Sequence, residues 1–132
     1  SLDFSFSGLK TSVRNIISKR AAGLIPVLSD SDIAAGFQDA VIDILTAKII
    51  LACKKEKINR IVVTGGVAAN GALRNRVALA SDRHGFKCFF PKPKFCTDNA
   101  AMIACAGYYK NIKKPMSKNE ILNLDARASL NL

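Results

Sequence analysis

The sequence predicts an α/β domain of few strands and several helices, and three observations carry that prediction. A β-branched run, Ile61-Val62-Val63-Thr64, ends in a glycine pair and passes directly into a helical pattern. A second short apolar run, Lys87 to Phe90, follows that helix and is closed by Pro91 and Pro93. Between Asp32 and Glu56, apolar residues at Ile33, Phe37, Val41, Ile44, Leu45, Ile49 and Ala52 recur at helical spacing, which marks a core-facing helix.

The totals set outer bounds. A chain of 132 residues fits one domain, and 49% apolar residues suffice for a core. No apolar run approaches the roughly 18 residues of a membrane span. The opening Ser1-Leu2-Asp3 lacks the basic and apolar regions of a secretory leader. Cys53, Cys88, Cys96 and Cys105 are scattered with no C-x-x-C pair, so reduced, mostly buried thiols in a cytoplasmic protein are expected, and a zinc knuckle is not. The net charge of +10 points to a polyanionic partner such as RNA, or simply to a lysine-rich surface. Several of the seven Phe read as core, which argues against a stacking platform for single strands.

Taken in order, Asp3 to Ser7 alternates, with Phe4 and Phe6 on one face and Ser5 and Ser7 on the other, and reads as a short strand. Ser7 with Gly8 caps a helix from about Leu9 to Arg20, with Leu9, Val13, Ile16 and Ile17 as its apolar stripe. Ser5, Ser7 and Lys10 read either as a polar cluster near a phosphate or as a cap beside a solvated lysine. A loop from Gly23 to Asp30 is broken by Pro26, and Ser29 to Asp32 supplies cap candidates for the long helix. On it, Asp39 and Asp43 lie one turn apart; a solvated face is the better reading than paired catalytic carboxylates, because no histidine is near.

Ile58 to Thr64 is the first buried strand, and the chain is organised around the turn after it. Gly65 and Gly66 let a ligand approach the backbone, and Asn70 is a good N-cap for a helix reaching His84. Strand, glycine turn and helix N-terminus together suit a nucleotide or another anion. The spacing Gly66-x-x-x-x-Gly71 mimics the start of a P-loop, but Ala72 and Leu73 stand where a lysine and a hydroxyl are needed. A plain strand-to-helix turn therefore stays open beside a ligand turn. On the helix, Leu73, Val77 and Ala80 face inward, while Arg74, Arg76 and Arg83 are exposed candidates for phosphate contacts. His84 reads as a helix-end histidine in preference to a metal ligand.

Thr97 or Asp98 is expected to cap a further helix reaching about Tyr109, lined with small residues at Ala100, Ala101, Ala104, Ala106 and Gly107 that allow close approach. Asp98 reads as a cap or as a metal ligand, and spacing does not decide. Residues 111–132 form a basic linker and a short amphipathic piece at Ile121, Leu122 and Leu124, a mobile tail or one tucked onto the core.

Four blocks then fall in the order seen in one family: Asp3-Phe4-Ser5-Phe6-Ser7-Gly8-Leu9-Lys10-Thr11, Ile33-Ala34-Ala35-Gly36-Phe37-Gln38-Asp39-Ala40, Gly65-Gly66-Val67-Ala68-Ala69-Asn70, and Cys96-Thr97-Asp98-Asn99-Ala100-Ala101-Met102-Ile103-Ala104. Over about Asp3 to Lys110 the chain resembles the C-terminal part of the TsaD family, also called Gcp, YgjD or Kae and once labelled an O-sialoglycoprotein endopeptidase. The resemblance implies an actin-like, sugar-kinase-like ATPase fold of two lobes, with residues 1–132 as a piece of the C-terminal lobe. It implies transfer of threonylcarbamoyl from threonylcarbamoyl-AMP to the N6 amine of the adenosine beside the anticodon, in tRNAs reading codons that begin with A. It implies that Gly65 and Gly66 line the adenylate pocket, that Asn70 hydrogen-bonds the nucleotide (ATP or threonylcarbamoyl-AMP), and that Asp98 is one ligand of a divalent metal, iron or zinc. The family's other metal ligands, an H-x-x-x-H pair, are absent, since His84 is the only histidine.

We therefore expect a piece of a longer enzyme, inactive by itself, with Ser1-Leu2 fitting a cloning remnant. Exposed sheet edges favour pairing with a second copy. The implied partners are tRNA and, in bacteria, a paralogous actin-like protein and a small ATPase, whose binding helices are expected largely in the missing lobe, so that this piece is not expected to hold them by itself. The alternatives are an actin-like kinase lobe and a non-enzymatic basic tRNA-binding module. A protease is weakest, because no H-E-x-x-H or triad can be built around His84.

Overall fold

A computed structural model describes residues 2–125 of the chain. Five helices and two strands follow in the order α1 (Phe6–Ala21), α2 (Asp30–Glu56), β1 (Arg60–Val62), α3 (Gly71–His84), β2 (Lys87–Phe89), α4 (Ala100–Lys113) and α5 (Lys118–Leu122). Short 3-10 turns at Gly66–Ala69 and Pro93–Phe95 bracket the α3–β2 unit. The class is α/β, mostly helical, with one parallel two-stranded sheet.

The sheet is a β–α–β unit. Arg60, Ile61 and Val62 pair with Lys87, Cys88 and Phe89, and the ladder is closed by Lys87 N–H to Asn59 O at 2.8 Å and Val63 N–H to Phe89 O at 2.9 Å. Parallel strands need a crossover, and α3 supplies it. Alternation along the strands sends Ile61, Val63, Cys88 and Phe90 to one face, where they meet Ile42, Leu73 and Val77. The core is thus α2 and α3 laid on one face of the sheet. The other face shows Val62 and Phe89 to solvent, 68% and 50% exposed.

Both helices are held at their ends by local chemistry. The α3 C-terminus stops at Gly85, whose φ of 72° is left-handed and suits a residue without Cβ. At the start of α2, Ser29 and Asp32 form a reciprocal capping box: Asp32 N–H donates to Ser29 Oγ at 3.1 Å, and Ser29 N–H donates to the Asp32 carboxylate at 3.1 Å. The Ser29 side-chain and backbone hydrogen bonds hold the Asp32 pKa below the ordinary carboxylate value. A depressed pKa means the cap is complete above the unfolded-state value, about 3.9, and is lost as pH falls through the lower folded-state value. Amide exchange at Ile33 and Asp32 should therefore stay slow from neutral pH down past the ordinary Asp value and quicken only below it; Ser29→Ala should make it fast throughout.

Several elements differ from the sequence expectation. Asp3 to Ser7 is not a strand: α1 already begins at Phe6, with Ser5, not Ser7, as its cap, accepting from Gly8 N–H at 3.3 Å. The serine–glycine start wins because capping satisfies helix-end N–H groups, whereas a two-phenylalanine strand has no neighbour to pair with. The cap of α4 is Asn99, accepting from Met102 N–H at 2.9 Å, so neither Thr97 nor Asp98 caps it. The small residues of α4 do not pack into the core: no residue of α4 is buried. Ile44, expected inward, is 37% exposed, while Ile42 takes its place in the core at 3%. Of the phenylalanines only Phe86 is buried, and Phe6, Phe37, Phe89 and Phe95 are exposed, because one small sheet covers little surface. Cys53 and Cys96 are buried, Cys88 is half-buried and Cys105 is exposed, all four as free thiols. No described helix is long and apolar enough to cross a membrane. The tail reading reaches α5 and Leu124; residues 126–132, like Ser1, lie outside the described residues.

Candidate nucleotide site

The turn after β1 is built as the residue types require. Gly65 adopts φ 94° and ψ 171°, a region open essentially to glycine alone. The chain then makes one 3-10 turn, and Ala68 N–H donates to Gly65 O at 2.9 Å. Asn70 ends it in an extended conformation and caps α3, its Oδ1 accepting from Leu73 N–H at 3.0 Å. Its Nδ2 donates to Gln38 Oε1 on α2, also at 3.0 Å. One amide side chain therefore fixes both the helix start and its distance from α2. A carboxamide carries two N–H donors and two lone pairs, so one of each remains for a ligand.

Beside Asn70 lies a cavity of about 360 Å³, lined by Phe6, Phe37, Val41, Leu73 and Val67, with Gln38 and Asn70 as its polar groups. That size and lining, apolar walls with few polar anchors, is what a flat heteroaromatic ring requires. The turn residues Gly65 and Gly66 lie next to the cavity in sequence but do not line it, and both are exposed. A Cβ built on either meets nothing within 4 Å. The dipole at the α3 N-terminus adds partial positive charge beside them.

Arg74 is the residue that sequence reasoning misplaced. It is half-buried, not a free phosphate contact. Its Nε donates to Ala68 O at 2.6 Å, its guanidinium reaches Pro91 O at 2.6 Å and Cys96 Sγ at 3.1 Å, and it lies 4.9 Å over the Phe90 ring. It ties the glycine turn to the loop after β2 that leads to Asp98. A signal existed, because Arg74 follows Asn70 by four residues and so stands over the same turn. Gln38, in the Ile33–Ala40 stretch, has no role that its residue type or spacing alone would reveal. Arg76 is bound to Asp43 on α2, which takes one of the two aspartates out of any catalytic pair. Lys10 lines a separate cavity of about 510 Å³ between α1 and α2 with Arg20 and Asp30, so Ser5, Ser7 and Lys10 do not form one phosphate cluster. His84 ends α3, its ring stacked parallel to Phe86 at 6.4 Å.

Asp98 is exposed on the loop before α4 and does not line the Asn70 cavity. Among the described residues no group of three or more His, Cys, Asp or Glu side chains converges. One carboxylate cannot hold a divalent ion, which takes four or more ligands. Asp98 by itself therefore offers a metal one carboxylate.

Fold and site define an α/β half-pocket: a strand, a glycine turn and a capped helix beside an apolar cleft. The family described as TsaD: tRNA N6-adenosine threonylcarbamoyltransferase matches residues 1–105. A protein of Thermodesulfovibrio yellowstonii named tRNA N6-adenosine threonylcarbamoyltransferase is 48% identical over all of this chain and 39% of its own length. Similarly named proteins of Desulfitobacterium hafniense and Clostridium perfringens are 44% and 41% identical, over 100% and 99% of this chain and 38% of their own lengths. The chain belongs to the TsaD family, and it spans less than half the length of these relatives.

Proposed function

We propose that this chain supplies part of the C-terminal lobe of an actin-like enzyme that transfers threonylcarbamoyl from threonylcarbamoyl-AMP to the N6 amine of the adenosine next to the anticodon, in tRNAs reading codons that begin with A. The observation that carries the reading is Asn70. It stands at a helix N-terminus, beside a glycine turn and on the wall of an apolar cleft, with one donor and one acceptor still unused.

In this reading the nucleoside of the adenylate enters the cleft, where the free Asn70 groups take complementary groups on the base or ribose. Gly65 and Gly66 give its phosphate room at the backbone, and the α3 dipole favours the charge of the departing AMP. The attacking amine is a weak nucleophile and the carbamoyl carbonyl a poor electrophile, so positioning carries much of the rate. A divalent metal, when bound, polarises the carbonyl or holds the phosphate. Asp98 would be one of the residues holding it, and the remaining ligands would come from the rest of the protein. A paralogous actin-like protein and a small ATPase complete the assembly, in the cytoplasm.

The test is calorimetric binding of ATP and AMP to the wild-type chain and to Asn70→Ala. Wild type should bind, and the variant should bind at least about tenfold more weakly, the effect of one lost ligand hydrogen-bond pair together with about 1 kcal/mol of cap stability. Equal binding by both proteins removes Asn70 from the site. Absence of nucleotide binding in the chain and in a full-length protein carrying it overturns the pocket.

A further inference from the structure

A second polar surface lies at the far end of the sheet, where the strands begin and the helices end. Lys54, Lys55 and Lys57 close α2, Arg83 closes α3, and Arg60 and Lys87 open the two paired strands as register partners. All six are exposed, and among the described residues none is held in an ion pair. Glu56 and Asp82 are the acidic neighbours on the same helix ends, which leaves the cluster cationic.

The surface is also shaped. On one side of His84 lies a hollow of about 190 Å³ with Lys54, Lys57 and Asn59. On its other side lies one of about 400 Å³ between α2 and α3, with Arg76, Arg83 and Thr46. Thr46 is only 7% exposed, and its Oγ1 has no hydrogen-bond partner. A buried hydroxyl without a partner costs stability; the hollow that Thr46 lines also holds Arg76, already paired with Asp43, and Arg83, unpaired among the described residues.

We propose that these two hollows and the lysines around them form a track for the phosphate backbone of RNA, distinct from the Asn70 cleft. Two hollows that share His84, edged by Lys54, Lys57 and Arg83 with no ion pair on them among the described residues, fit a chain of phosphates better than one small anion. Lysines and arginines around the hollows fit backbone contact, and the exposed His84 ring lies between them. Five residues lead from Arg60 to Gly65, so the two lie at most about 16 Å apart at ~3.3 Å per residue, and one RNA can reach both this end and the turn. The inference rests on the proposed tRNA substrate and gives that substrate a docking surface.

The test combines Lys54→Gln, Lys57→Gln and Arg83→Gln in the whole chain and measures unfractionated tRNA binding by anisotropy over a salt series, with ATP binding as a parallel arm. The triple variant should bind tRNA at least about tenfold more weakly at low salt, with a salt slope shallower by about 2–3, and should bind ATP as wild type does. Unchanged tRNA affinity and slope, or no tRNA binding by wild type, overturns the track. Loss of polyglutamate binding with tRNA binding unchanged overturns it in favour of an acidic protein partner. Loss of tRNA binding in the variant, with no ATP binding by either protein, upholds the track and counts against the Asn70 pocket alone.

Discussion

Replacing Arg74 with alanine is expected to destabilise the chain by about 2–4 kcal/mol, the range for removing a charged donor from several buried acceptors. The carbonyls of Ala68 and Pro91 lose their donor together, and Ala68 is only 1% exposed, so water replaces the guanidinium poorly. The contact with the Phe90 ring is lost as well. Urea unfolding should show a lower midpoint, and amide exchange should quicken first in the Gly66–Ala69 turn. Arg74→Lys should recover less than half of the loss, because an ammonium cannot bridge Ala68, Pro91 and Cys96 with one planar group. A lysine variant as stable as wild type would show that charge, and not the fork, holds the turn. Arg74 touches neither the cleft nor a ligand; it is a positioning residue. Any nucleotide affinity lost in Arg74→Ala should therefore return in part with Arg74→Lys, in step with stability.

Gly65→Ala and Gly66→Ala should separate conformation from ligand access. Nothing lies within 4 Å of a Cβ at either position, so crowding is not the issue in the free chain. Gly65 has φ 94°, and alanine there should cost about 1–3 kcal/mol from backbone strain alone. Gly66 has no such φ and begins a 3-10 turn, so alanine there should leave thermal stability nearly unchanged. If Gly66→Ala also leaves ATP binding unchanged, the second glycine is a matter of chain history and not of approach by a phosphate. If it weakens binding at constant stability, the bare backbone at Gly66 is where the ligand comes close.

Much of the fold was legible because its signals are local. The long helix was marked by apolar spacing from Ile33 to Ile49, and its cap by the serine–aspartate pairs before it. The strand–glycine–helix sequence from Ile61 to Asn70 predicted both the turn and its cap, since β-branched residues, glycines and a capping amide each do one thing well. The misread elements were those where two local signals compete. Phe4 and Phe6 alternate as a strand does, yet Ser5 caps a helix through Gly8 N–H. Asp98 and Asn99 are both good caps, and the loop geometry after Cys96 gives the place to Asn99.

The sequence by itself determined the α/β class, the place of the glycine turn, the capping role of Asn70 and, through four ordered blocks, the family. Only the tertiary structure decided what Asn70 and Arg74 touch. Gln38 and Asn70 are 32 residues apart, and Arg74 and Cys96 are 22 apart. Such partners are set by how α2 and the loop after β2 pack around α3, and no local propensity encodes them. Packing likewise turned Arg74 from a free cation into a clamp and left Asp98 at the surface. It also gathered Lys54, Arg83 and Lys87 at one end, because parallel strands joined by a helix place every strand start and helix end on the same side.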